Sequence, residues 1–125
     1  VETAVISGSS AGGTISYDLT SYSVLYCDVN ATSNWIINFR ASSTYSLDSV
    51  LPTNKAITAV LLAAQGSTAY YNTTVLVDGL PVTVKWQGGA APTKGNTNGI
   101  DVYTYSIIKT GSTSFLVLAS QSQFT

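Results

Sequence analysis

Apolar and polar residues alternate with period two along most of the chain, the spacing of strands that bury one face. Over residues 14–19, Ile15, Tyr17 and Leu19 alternate with Thr14, Ser16 and Asp18. Trp35, Ile37 and Phe39 alternate with Ile36, Asn38 and Arg40, and Val82, Val84 and Trp86 alternate with Thr83 and Lys85. Residues 55–64 are apolar on both faces, with Ile57, Ala59, Leu61 and Ala63 on one and Val60 and Leu62 on the other. That pattern belongs to a central strand. Further strands are expected over 22–29, 71–77, 100–108 and 115–119.

Turn chemistry separates these runs. Asp78-Gly79-Leu80-Pro81, Asn98-Gly99 and Thr110-Gly111-Ser112 are turn signals, with Pro81 opening a strand where its missing N–H does least harm. Only residues 46–51, closed by Pro52, read as a helical turn. About eight or nine short strands at near-regular spacing predict an all-β fold, an antiparallel, jelly-roll-like β-sandwich. It is expected to form one domain over 14–125, with Trp35, Ile37, Phe39, Ile57, Leu61, Val82, Val84 and Val102 mostly buried. Residues 1–13, ending in SGSSAGG, read as a linker or arm arriving from upstream. Val1 is not a translation start, so the natural protein is expected to extend beyond it.

Composition changes the picture in one respect. Charged residues make up 9% of the 125, against about 25% in an average domain. Serine and threonine, 17 of each, take their place. Burying a hydroxyl costs far less than burying a charge, so such a surface suits permanent packing against neighbours. The net charge of −1 and the lack of a basic stripe make a nucleic-acid partner unexpected. No apolar run approaches the roughly 20 residues that span a bilayer, so no membrane partner is expected either.

Candidate chemistry is sparse. There is no histidine, which removes the commonest general base and zinc ligand. Glu2, Asp18, Asp28, Asp48, Asp78 and Asp101 are spread singly, and no pair stands out for glycoside hydrolysis. Asp28, Asn30 and Asn34 lie near one loop but lack a bidentate partner for calcium. Hence no catalytic residue, metal or cofactor is expected. Cys27, unpaired, reads as a small buried hydrophobe. Tyr70 and Tyr71 are adjacent, so one faces away from the core, a possible contact for a glycan or a protein partner. In VKWQGGAAP, residues 84–92, a strand ends at Trp86, which is expected to plug one end of the sandwich. Gly88 and Gly89 then permit backbone conformations that other residues resist, before Pro92.

That stretch also carries a resemblance. KWQGGAAPT (85–93), followed by GIDVY (99–103), IIKT (107–110) and FLVLASQ (115–121), resembles a C-terminal domain of virion structural and tail fibre proteins of tailed bacteriophages, of the marine and cyanophage type. NATSNWIINFR (30–40), AVLLAAQGSTAYY (59–71) and the ending QFT are similar to the same family, so the resemblance covers about 13–125. It implies a non-enzymatic virion component, a tail or fibre part or a capsid decoration, at the surface of the phage particle. The implied partners are other virion proteins and other copies of the chain, as a homotrimer. Host-surface glycan binding is the alternative, with Tyr70, Tyr71 or Trp86 as stacking platform. An interface of aromatic and small residues would favour assembly; an exposed aromatic beside converging polar groups would favour the glycan. Two carboxylates in one cleft would favour an enzyme.

Overall fold

The computed structural model describes residues 1–125. Ten strands build two sheets: β1 (Ala4–Ile6), β2 (Gly13–Asp18), β3 (Val24–Cys27), β4 (Trp35–Arg40), β5 (Ala56–Ala64), β6 (Asn72–Val77), β7 (Leu80–Pro81), β8 (Thr83–Trp86), β9 (Ile100–Gly111) and β10 (Ser114–Phe124). One helical turn, α1 (Leu47–Val50), is capped by the Ser46 hydroxyl. The six-stranded sheet runs β1-β3-β5-β9-β10-β8 and the four-stranded sheet β2-β4-β6-β7.

The sheets are mixed, which corrects the antiparallel expectation. From β1 to β6 the chain alternates between the sheets, so β1, β3 and β5 pair in parallel in one while β2, β4 and β6 pair in parallel in the other. A strand that returns to its sheet only after crossing the other one arrives in the same direction as its predecessor. Short connections imply hairpins only when both strands share a sheet. Two hairpins do form. Asp78 and Gly79, both at positive φ, turn β6 into β7, and Thr113 at φ 55° sits in the turn from β9 to β10. Val82 then carries the chain to the other sheet, where β8 pairs in parallel with β10. Of the first 13 residues, Ala4–Ile6 forms the edge strand beside β3, and Ala11 is buried.

Period-two alternation sets the core. Trp35, Ile37 and Phe39 of β4 are fully buried and meet Leu61, Ala59 and Ala63 of β5 and Tyr103, Tyr105 and Ile107 of β9 in one cluster. Phe39 stands edge-on to Tyr105, and Trp35 to Tyr103. Of the eight expected core residues one is corrected, Val102, while three others pack on the core from its rim. Ile57, Val82 and Val84 are half-buried at the rim. Val102 faces away from the core, because β9 turns the row Asp101, Tyr103, Tyr105, Ile107, Lys109 inward. Tyrosine can occupy that row since each hydroxyl has a partner: Tyr105 donates to Asn72 Oδ1 at 3.0 Å, and the Tyr103 oxygen accepts from Asn72 N and Gln121 Nε2.

The far end of that row is closed by an ion pair. Lys109, nearly buried, donates to the Asp48 carbonyl oxygen at 2.6 Å and lies 3.0 Å from Asp48 Oδ1. The Thr113 N–H donates to the same carboxylate, and with Lys109 it holds the Asp48 carboxyl below its ordinary range. A depressed carboxyl contributes stability above its unfolded value of about 3.9 and loses it as pH falls through the folded value. Asp48→Asn is therefore expected to lower Tm at pH 7 and to match the parent more closely below about pH 3. Thermal melts at the two pH values read this directly; an equal deficit at both would remove the ion pair from the account.

Candidate interaction face

A two-sheet sandwich has two outer faces, and here they differ in chemistry. On the four-stranded sheet, Thr14, Ser16 and Asp18 lie beside Ile36, Asn38 and Arg40, and Asn38 beside Leu76. Arg40 Nε meets Asp18 Oδ1 at 2.6 Å. This is an ordinary solvated face, polar outward.

The outer face of the six-stranded sheet is not. The register sets Ile6, Tyr26, Leu62 and Val102 in one cross-strand row, and Ala4, Val24, Val60 and Thr104 in the next. Ile108 lies beside Leu116, and Leu118 beside Ser106. Nothing in the chain covers them: Leu118 is 45% exposed and the edge residue Ile6 68%. The only charge within the paired rows is Lys85, on the edge strand β8. The rows continue into Ser122 and Ser120 on β10, so the face is apolar over β3 and β5 and mixed with hydroxyls toward β8. A broad face with a single charge and these apolar rows is the chain's candidate interaction surface. Its residues were visible in the sequence as the second apolar face of 55–64 and as Val102, but alternation alone does not say which face of a strand lies outside.

The residues singled out by the sequence fall elsewhere. Tyr70 and Tyr71 are half-buried at the start of β6. Tyr70 packs on the core and is held by Gln65, while the Tyr71 N–H donates to Asn34 Oδ1. Trp86 does not plug an end of the sandwich. It stands on edge strand β8 and closes the flank, with its ring 6.3 Å from Tyr103 and 6.4 Å from Tyr105. Gly88 and Gly89 adopt φ 79° and 82°, which side chains resist, and so turn the chain after Trp86. Pro92 follows, half-buried beside a small groove that Trp86 and Gln121 also line. No family model matches this chain, and no curated protein or solved structure does.

The acidic side chains serve the fold. Asp48 and Asp78 line one groove of about 210 Å³. The Asp78 carboxylate accepts from the Leu47 and Asp48 N–H groups and so caps α1. Asp28 accepts from the Gly8 N–H, and no three acidic or cysteine side chains converge. Cys27 is buried, and burial pushes its thiol up. One acid is out of the ordinary. Asp101 is fully buried: its Oδ2 accepts from Gln65 Nε2 and the Asn96 N–H, both at 2.9 Å, while Oδ1 has no protein partner. Burial raises its carboxyl above the ordinary range against those two hydrogen bonds. The sequence reading missed this residue, although the inward row of β9 begins with it.

Proposed function

We propose that this chain is a non-enzymatic building block of a tailed-bacteriophage particle, a tail or fibre component or a capsid decoration, and that it works by packing its six-stranded sheet against neighbouring virion proteins. The observation that supports assembly is the outer face of that sheet, apolar over β3 and β5, mixed with hydroxyls over β9 and β10, and with Lys85 its one charge within the paired rows. The low overall charge supports the same reading, since large areas can be buried without stranding ions. The phage context rests on the resemblance carried by residues 85–121. The density of the particle tests both: Tyr26, Leu62 and Val102 are expected to lie against protein. A particle that lacks the chain, or leaves that face in water, overturns the reading.

Glycan binding remains the second reading, and one feature favours it. Tyr45 is 63% exposed beside a groove of about 280 Å³ that Asn38 and Arg40 also line. An exposed ring next to amide and guanidinium donors offers a stacking face with polar partners. In this reading Tyr45 takes the role first assigned to Tyr70 and Tyr71.

A further inference from the structure

We infer that residues 94–99 form a lid operated by the proton on Asp101: shut while that acid is neutral, lifted when it is charged. Nothing in this depends on the assembly reading above. It follows from where the lid is fastened, from what the lid lacks, and from what surrounds the acid.

The lid is fastened through one buried carboxyl. Asp101 Oδ2 accepts from the Asn96 N–H and from Gln65 Nε2, both at 2.9 Å. Gln65 Nε2 also donates to the Tyr70 carbonyl at 2.6 Å, and Gln65 Oε1 accepts from the Tyr70 N–H at 3.1 Å, so the same hub fixes the loop before β6. The Asn98 N–H donates to the Gly66 carbonyl at 2.9 Å, and Asn96 Nδ2 donates to the Phe124 carbonyl at 2.9 Å. At the lid's start Gln121 Nε2 donates to the Lys94 carbonyl. Gly95 sits directly on Tyr70: a methyl group there would overlap the Tyr70 carbonyl oxygen. The lid is held by hydrogen bonds, and residues 93–99 carry no apolar side chain. A segment of that kind opens locally at far lower cost than the core does.

The surroundings of Asp101 make its charged form costly. The side chain is fully buried, and Oδ1 has no protein partner. The residues that flank it in the sheet, Ala63 on β5 and Gln123 on β10, carry no charge. The ionisable groups around it are Tyr103 on its own strand, Cys27 beyond Ala63 on β3, Tyr70 in the loop before β6, and Lys94 in the lid. Burial pushes the Tyr103 phenol and the Cys27 thiol up, so both stay neutral. Tyr70 packs on the core, while Lys94 is exposed and forms no ion pair with Asp101. No cation therefore offsets a charge on Asp101, and burial raises its carboxyl against the two hydrogen bonds it accepts. A neutral acid with its proton on Oδ1 leaves Oδ2 to accept both bonds, and an unpaired neutral O–H costs far less than an unpaired charge. Because the Asn96 N–H meets Oδ2 directly, lifting the lid lets water take its place and leaves the ladders of both sheets intact. The shut state thus holds the proton more tightly than the lifted state. Closure weakens as pH rises from the ordinary carboxyl value of about 3.9 towards the raised one.

Amide hydrogen exchange of the full-length protein, corrected for intrinsic rates, tests this from about pH 4 to about pH 7. Protection of Asn96 and Asn98 is expected to stand below that of the β9 amides and to fall several-fold as pH rises. Asp101→Asn keeps a neutral side chain whose carbonyl oxygen accepts both bonds, and is expected to hold the lid's protection constant with pH. Gly95→Ala, which cannot seat on Tyr70, is expected to show low protection at Asn96 and Asn98 at every pH while β9 stays protected. Lid protection that does not change with pH in the parent overturns the inference, as does an equal fall in Asp101→Asn. Lid amides that exchange only together with those of β9 overturn it too, since the acid then meets water only on unfolding.

Discussion

Asn72→Leu is expected to destabilise the protein by about 3 kcal/mol, as three side-chain hydrogen bonds vanish from a site that excludes water. The side chain is 1% exposed. Its Nδ2 donates to the Trp35 carbonyl at 3.1 Å and to the Thr74 carbonyl at 3.0 Å, and its Oδ1 accepts from the Tyr105 hydroxyl at 3.0 Å. Those bonds join β4 and β6, where the register shifts between Trp35 and Ile36, to β9 in the other sheet. Leucine has a similar volume, so the loss is polar. The Trp35 carbonyl keeps a bond from the Thr73 hydroxyl. The Tyr105 hydroxyl keeps nothing, and one stranded buried group costs about 1–3 kcal/mol. Urea unfolding measures the change. Tyr105→Phe in the same background should recover part of it, because the stranded hydroxyl is then gone. A loss under about 1 kcal/mol, or no coupling between the two sites, would show that this network does not tie the sheets.

The second large effect follows pH. Asp101 has its carboxyl raised by burial, so the folded chain holds that proton longer than the unfolded chain does. Between the unfolded value of about 3.9 and the folded one, the native state binds more protons, and stability falls as pH rises. Asp101→Asn removes this titration while its carbonyl oxygen can still accept from Gln65 and the Asn96 N–H. Its stability relative to the parent is therefore expected to climb from acid to neutral pH and then level off. Asp101→Ala leaves both donors stranded and should be less stable than Asp101→Asn by about 2 kcal/mol at every pH. Denaturant midpoints across the range decide the matter. A parent–variant difference that stays flat with pH would mean that Asp101 does not titrate differently on folding.

How much of this was legible in the sequence depends on the range of the cause. Period two in Trp35–Arg40 and Ala56–Ala64 is a local consequence of pleating, and both strands form where the pattern puts them. So does the turn at Asp78-Gly79, because tolerance of positive φ is a property of single residues. The β9–β10 turn instead falls just past the Thr110-Gly111-Ser112 signal: Gly111 stays in the strand and Thr113 takes the positive φ. The same alternation is silent about direction and partner. It could not show that β1 to β6 alternate between sheets, which made the sheets mixed, nor that Pro81 and Thr83 belong to different sheets with only Val82 between them.

The interaction face is the clearest case. In β9 the sequence offers two apolar rows, one containing Tyr103, Tyr105 and Ile107, the other Ile100, Val102 and Ile108. Both rows carry hydroxyls, Tyr103 and Tyr105 in the first and Thr104 and Ser106 in the second, so hydrophobicity by itself does not choose between them. The tertiary structure chose the first, because Asn72 on β6 and Gln121 on β10 meet the tyrosine hydroxyls, and a buried hydroxyl with a partner costs little. The sequence by itself determined that both rows exist, and that the charges of β9, Asp101 and Lys109, fall at the two ends of the first. Only the packing of β6 and β10 against β9 decided which row fills the core and which is left outside, and that choice rests on hydrogen-bond partners contributed from 18 to 33 residues away along the chain.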